Sequence, residues 1–287
     1  MTIIISDTLV PSQDDAQFDA DNPVIGWHNV VNVGNIRAAE IGTDADVEDE
    51  NHPASMMANS STYQRFQQAV GGKSFYIEIE PNELDDIDYV AIAGHNWGTL
   101  AREVSIWGAT ERDTNDDFIF NQLVQEVIPI DDTPLIFRFT PAPYLALRIH
   151  VVATLTGIDD IAYAAVVYAG KLLILERKIQ VSFVPLIYGR RSNVTNARSE
   201  RGNFLGRLLT GEWLETSATF MWLSPDWYRT YMDEFLKQAQ TNPFFFAWAP
   251  ISYPKETGFA WLTDVAEPVI HSPTGHIQVT LNMQGIV

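Results

Sequence analysis

FYIEIEPNELDDIDYVAIAGHNW, residues 75–97, begins with apolar and acidic side chains in alternation and, past a polar turn, reaches the short apolar run YVAIAG. Alternation of period two is the mark of a strand whose two faces differ. EVSIWGA, PLIFRFT and YLALRIHVV follow at short intervals, divided by the breaker-rich GHNWGT and ERDTNDD. Short apolar runs spaced in this way, with no long helical period between them, predict an antiparallel β-sandwich rather than βαβ units. Upstream, MMANSSTYQRFQ has room for one helical turn.

Toward the C-terminus the pattern changes. GEWLETSATFMWL and HIQVTLNM alternate as strands do. Between them lies one clear helix signal. Ser224 offers an N-cap hydroxyl, Pro225 suits the first helical position, and Asp226 favours the positive end of the helix dipole. Trp227, Tyr231 and Phe235, with Tyr228, Met232 and Leu236, recur at helical spacing until Asn242-Pro243 stops the helix. This predicts an α+β unit after the sandwich. The expected organisation is an N-terminal arm at 1–20, a sandwich at 21–172 and the second unit at 173–287. Charge divides the chain at nearly the same place. Residues 1–175 hold 8 Lys+Arg against 27 Asp+Glu, and residues 176–287 hold 10 against 10. So sharp an asymmetry points to two units with different surroundings.

Hydrophobic residues make up 46% of 287, enough for a packed core. A net charge of −19 argues against nucleic acid as a partner, since that contact needs phosphates neutralised by Lys and Arg. No run of 18 uncharged apolar residues occurs, so no membrane helix is expected. The opening residues lack the basic region of a secretory signal. With no cysteine, disulfides, thiolate metal sites and cysteine nucleophiles are excluded.

No motif of nucleophilic, metallohydrolase or nucleotide chemistry is present, and the six histidines are scattered. His271 and His276 share a turn-like stretch that reads as a solvated loop. The pairs Asp85/Asp86, Asp116/Asp117, Asp131/Asp132 and Asp159/Asp160 sit in turn-like contexts, where Asp caps its own backbone. The expectation is that the chain is not an enzyme. GTDADVEDEN, residues 42–51, crowds Asp44, Asp46 and Asp49 with Glu48 and Glu50. Either this is a solvated acidic loop, or Asp44, Asp46 and Asp49 hold a hard cation such as calcium that relieves their repulsion. In NPFFFAW, three consecutive Phe cannot share one face of a strand. Either both faces are covered or one meets another chain.

The densest positive charge lies in YGRRSNVTNARSERGNFLGR, residues 188–207, with five of the chain's 18 basic residues. Its Gly and Asn content predicts an extended loop or hairpin. A solvated loop and a nucleic-acid contact are two readings. The third uses the acidic remainder of the chain: Arg190, Arg191, Arg198 and Arg201 form an intersubunit interface by docking on an acidic neighbour.

The second unit, with this basic segment, the helix, PFFFAW and a terminal HIQVTLNMQGIV, resembles the distal-tail and minor-tail group of tailed-bacteriophage tail-tip proteins. The resemblance covers about 110 residues. It implies a tail-tube-like domain, containing a β-sandwich, that assembles into a ring (a hexamer among the options). It also implies tail tube, hub or fibre proteins as partners and a place in the virion tail, after synthesis in the host cytoplasm. The first unit, through HPASMMANSSTYQRFQ, SFYIEIEPNELDDIDYVAIAGHNW, EVSIWGA and YLALRIHV, resembles discoidin-like, galactose-binding-like jelly rolls. That resemblance implies an outward-facing domain and host glycans as a possible class of ligand. The reading is therefore a structural protein of the tail tip or adaptor region. A carbohydrate-binding protein is the alternative.

Overall fold

The computed structural model describes residues 2–12, 18–83, 85–154, 160–180, 182–270 and 272–287. Strands in the first part of the chain are β1 (Thr2–Ile5), β2 (Val24–Gly26), β3 (Ile36–Glu40), β4 (Phe66–Gln67), β5 (Phe75–Ile79), β6 (Ile87–Ala93) and β7 (Glu103–Arg112). Next come β8 (Phe118–Val127), β9 (Leu135–Ala142), β10 (Ala146–Val152), β11 (Tyr163–Ala164), β12 (Val166–Gly170) and β13 (Leu173–Ile174). The remainder holds β14 (Arg190–Arg198), β15 (Phe204–Leu223), β16 (Phe244–Ala247), β17 (Thr257–Leu262), β18 (Val269–Ile270) and β19 (Ile277–Ile286). The chain is mainly β, as expected, and the expected helical turn near Met56 is a 3-10 turn, Ala54–Ala58.

The sandwich pairs a five-stranded sheet, β3-β5-β10-β7-β8, with a four-stranded sheet, β1-β9-β6-β12. Neighbours are antiparallel except β1 and β9, which run parallel. Between the sheets lie Phe75, Ile77, Val90, Ile92, Phe137 and Leu147, all buried. The other face of the four-stranded sheet is covered too. Tyr89, Ala91, Ile136 and Tyr168 pack against Phe245, Ala247 and Phe259 of a third sheet. This explains why YVAIAG lacks alternation: β6 is buried at every position because it has no wet face.

The third sheet has eight strands in the order β13-β2-β16-β17-β19-β15-β14, with β18 also on β19. A helical segment, residues 225–239, crosses its far face and buries Trp227, Met232, Phe235 and Ala239 against Phe220, Phe244, Phe246 and Leu281. The three consecutive Phe are thereby divided. Phe245 faces the sandwich, whereas Phe244 and Phe246 face the helix, so both faces are covered within one chain. The second unit is thus one sheet clasped between a helix and the sandwich rather than a sandwich of its own.

Several contacts tie the N-terminal part of the chain to its end. β2 hydrogen-bonds to β13 on one side and β16 on the other. Ile3 N–H donates to the Pro254 carbonyl at 2.7 Å. The Asp21 carboxylate accepts from the N–H groups of Ile251 and Ser252 at 3.0 and 2.9 Å and from Ser252 Oγ at 2.6 Å.

The helix begins where the sequence places it. Ser224 Oγ accepts from the Trp227 N–H at 3.4 Å, with Pro225 in the first turn. A π-turn at Tyr228–Met232 interrupts the α-geometry before the helix resumes at Asp233–Ala239. The cap bond is long, so Ser224→Ala is expected to lower stability by about 0.5–1 kcal/mol, the lower part of the usual range for N-caps. Urea unfolding reads this directly, and a loss above about 2 kcal/mol would show that Ser224 does more than cap.

Candidate functional site

The basic segment folds as a hairpin. β14 pairs with β15 from Arg190↔Leu214 to Arg198↔Phe204, with bulges after Asn193 and Ala197. Its turn closes through Ser199 N–H to the Asn203 carbonyl at 2.9 Å and Gly202 N–H to the Ser199 carbonyl at 2.8 Å. Gly202 supplies the left-handed backbone there, at φ 81°.

β15 is 20 residues long and serves two purposes. From Leu214 to Leu223 it pairs with β19 inside the sheet. Before Leu214 its one strand neighbour among the described residues is β14. The ribbon therefore stands off the sheet edge by about 30 Å, nine residues at strand rise. Both strands are exposed along it. Phe204, Leu205, Leu208 and Leu209 are 65, 66, 63 and 49% exposed. Arg190, Arg191, Arg198, Arg201 and Arg207 are exposed as well. Among the described residues only Arg191 of the five has an acidic partner, Glu215 at 3.8 Å. The Trp213 indole N–H, bonded to Glu215, is the main influence holding that carboxyl below its ordinary range. A two-stranded ribbon is marginal in water by itself, and this one carries four exposed large apolar side chains among its arginines.

The acidic loop is arranged otherwise. Asp44 accepts from the Tyr76 hydroxyl at 2.9 Å. Asp46 accepts from the Glu48 N–H at 2.8 Å. Asp49 meets His52 Nδ1 at 2.8 Å and accepts from the Asn51 N–H at 3.0 Å, and the His52 contact foremost holds its carboxyl below the usual range. Glu48 accepts from the N–H groups of Ala38 and Ala54. Asp44, Asp46, Glu48 and Asp49 thus each have a local donor, and these bonds offset part of the crowding that made a cation attractive. Among the described residues no three His, Asp or Glu side chains are grouped to hold a metal ion. Asp159 and His271 lie outside the described residues.

One feature escaped the sequence. A cleft of about 410 Å³ opens where the helix, the β13–β2 edge and the turn before β6 meet. Trp27, Trp227 and Tyr231 wall it, and Asp85, Asp86 and Glu234 line it with Lys171. Read along the chain, the aspartates are a turn pair and the helix aromatics an apolar stripe. Only the fold joins them to Trp27.

No family model matches the chain, and no curated protein matches it. Among solved structures it is similar to chitosan-binding module 1 of a chitosanase/glucanase from Paenibacillus sp. IK-5. That likeness has 16% identity and a TM-score of 0.39, over 50% of this chain and 99% of that one. It is similar to a Clostridium perfringens module solved with GalNAc-beta-1,3-galactose at 12% identity and TM-score 0.38, over 50% and 100%. A family 32 module of C. perfringens NanJ, in complex with galactose, matches at 12% and 0.36, over 52% and 99%. Identity of this order leaves function to be read from this chain's own side chains.

Proposed function

We propose that the chain is a non-enzymatic structural subunit that assembles head to tail, the hairpin of one copy lying on the acidic surface of the next. The setting given by the sequence resemblance is the tail tip or adaptor region of a tailed bacteriophage, with copies joined in a ring. The observation that carries this reading is the hairpin. It projects from the sheet edge with exposed Phe204, Leu205 and Leu208 among arginines, in a chain of net charge −19. Guanidinium groups pair with carboxylates in a fork, and each exposed pair contributes about 0–1 kcal/mol. Repetition around an assembly multiplies that small term and fixes the register of neighbours.

Replacing Arg190, Arg191 and Arg198 together by Ser should shift the chain to monomer in sedimentation velocity while leaving its melting temperature within about 2 °C, as expected for exposed side chains. Raising salt to about 1 M, where the screening length falls to about 3 Å, should weaken assembly of the unchanged protein. Normal assembly of the triple variant at every salt concentration would remove the hairpin from the assembly.

A second reading gives the sandwich a carbohydrate ligand, and one observation favours it. Tyr63 is 93% exposed, and near it in sequence Arg65 stacks on the Tyr163 ring at 4.1 Å. Exposed aromatic faces suit sugar rings. Glycan-array binding lost on Tyr63→Ala would support this role, and an array without signal for the unchanged protein would end it.

A further inference from the structure

We infer that the acceptor for the hairpin is the aromatic and acidic cleft of the neighbouring copy, an inference that rests on the assembly reading above. The two surfaces occupy opposite edges of one sheet. In the order β13-β2-β16-β17-β19-β15-β14, the hairpin begins at the β15–β14 end and the cleft opens at the β13–β2 end. Six strand spacings separate the edges, about 29 Å. The hairpin extends along the strands and not across them, so it cannot reach the cleft of its own chain. A donor on one edge and an acceptor on the other make a heterologous contact, which repeats from copy to copy and closes into a ring or continues as a filament.

The chemistry of the two surfaces is complementary in both of its parts. Over residues 190–212 the hairpin carries five Arg against Glu200 and Glu212, a net +3. The cleft sets Asp85, Asp86 and Glu234 against Lys171, a net −2. Phe204 and Leu205 supply apolar surface for walls made by Trp27, Trp227 and Tyr231. Guanidinium groups also favour the faces of Trp and Tyr. The acidic loop at residues 42–51 is a poorer acceptor: it is negative, but its Asp44, Asp46 and Asp49 carboxylates already have local hydrogen-bond partners.

The absence of cysteine makes the contact directly testable. Full-length Glu200→Cys, at the hairpin turn, is mixed with full-length Thr230→Cys, at the cleft, and treated with a short bis-maleimide. A mixed dimer is expected. It should be lost when the cleft partner also carries D85K, D86K and E234K. Thr43→Cys, on the acidic loop, is the control partner and should give no mixed dimer. Linking to Thr43→Cys without linking to Thr230→Cys would overturn the cleft as acceptor and leave assembly by the hairpin standing. Persistence of the mixed dimer in the charge-reversed cleft would also overturn it. An unchanged protein that stays monomeric at hundreds of micromolar would overturn both.

Discussion

Phe245→Ala is expected to destabilise the whole molecule by about 3–5 kcal/mol, the usual range for removing a buried Phe. Phe245 is fully buried at the centre of the seam between sandwich and third sheet. Its ring meets Phe259 at 4.9 Å and stands edge-on to Tyr168 at 5.4 Å. Tyr168 is itself fixed by its hydroxyl, which donates to the Pro243 carbonyl at 3.2 Å. The walls of the resulting cavity are strands on both sides and have little freedom to collapse into it. Because the seam is continuous core, the loss should appear as one earlier transition and not as release of one unit. Urea unfolding followed by tryptophan fluorescence and far-UV circular dichroism tests this. A loss below about 1 kcal/mol would mean that the seam is not core. Two separated transitions, with the sandwich unaffected, would mean that the units are independent.

Acid should destabilise the fold well before the carboxylates titrate. His95 is 2% exposed and stacked on Trp97 at 5.1 Å. Its Nε2–H donates to the Thr133 carbonyl at 2.9 Å, and its Nδ1 accepts the Trp97 N–H at 3.2 Å. The neutral ring is thus satisfied on both sides. A second proton would face an N–H and lose an acceptor. Burial is the main cause that lowers its pKa from 6.5 to about 4. His150, stacked on Trp107 at 5.1 Å, is also lowered to about 4, by burial first and then by Arg148. Between pH 4 and 6.5 the unfolded chain binds protons that the folded chain refuses. Stability is therefore complete above about pH 6.5 and is lost as the pH falls toward 4. For His95 alone the loss approaches roughly 3 kcal/mol. Urea midpoints at pH 7.5 and 4.5 should differ accordingly, and His95→Gln should flatten the difference while lowering stability at pH 7.5. Equal midpoints at the two pH values, or an unchanged slope in the variant, would show that His95 does not carry the effect.

Local patterns were legible where one residue's neighbours settle its environment. The period-two stretches became β5, β15 and β19, and Ser224-Pro225 starts the helix. The hairpin followed from its Gly and Asn content. What could not be read depends on residues far apart in the chain. VIG at Val24–Gly26 is too short for any period, yet it is an inner strand of the third sheet because β13 and β16 flank it. YVAIAG showed a strand but not that its second face meets Phe245 and Phe259. The acidic loop showed crowding but not the Tyr76 hydroxyl or the backbone N–H groups that answer it. The cleft joins Trp27, the Asp85–Asp86 turn, Lys171 and the helix, segments that sequence spacing cannot bring together.

The placement of β1 and β2 has a consequence for how the molecule comes into being. Ile3 is anchored by Pro254, and β2 is an edge strand until Phe245–Ala247 arrive beside it. During synthesis those partners emerge more than 200 residues after the strands that await them. β1 has its sheet partner once β9 is made and β2 gains one with β13, but the outer face of the four-stranded sheet stays uncovered until Phe245, Ala247 and Phe259 arrive. Contacts of such long sequence separation form slowly, since loop closure precedes any gain from pairing. The interval before that face is covered is when the chain is most exposed to aggregation and to chaperones.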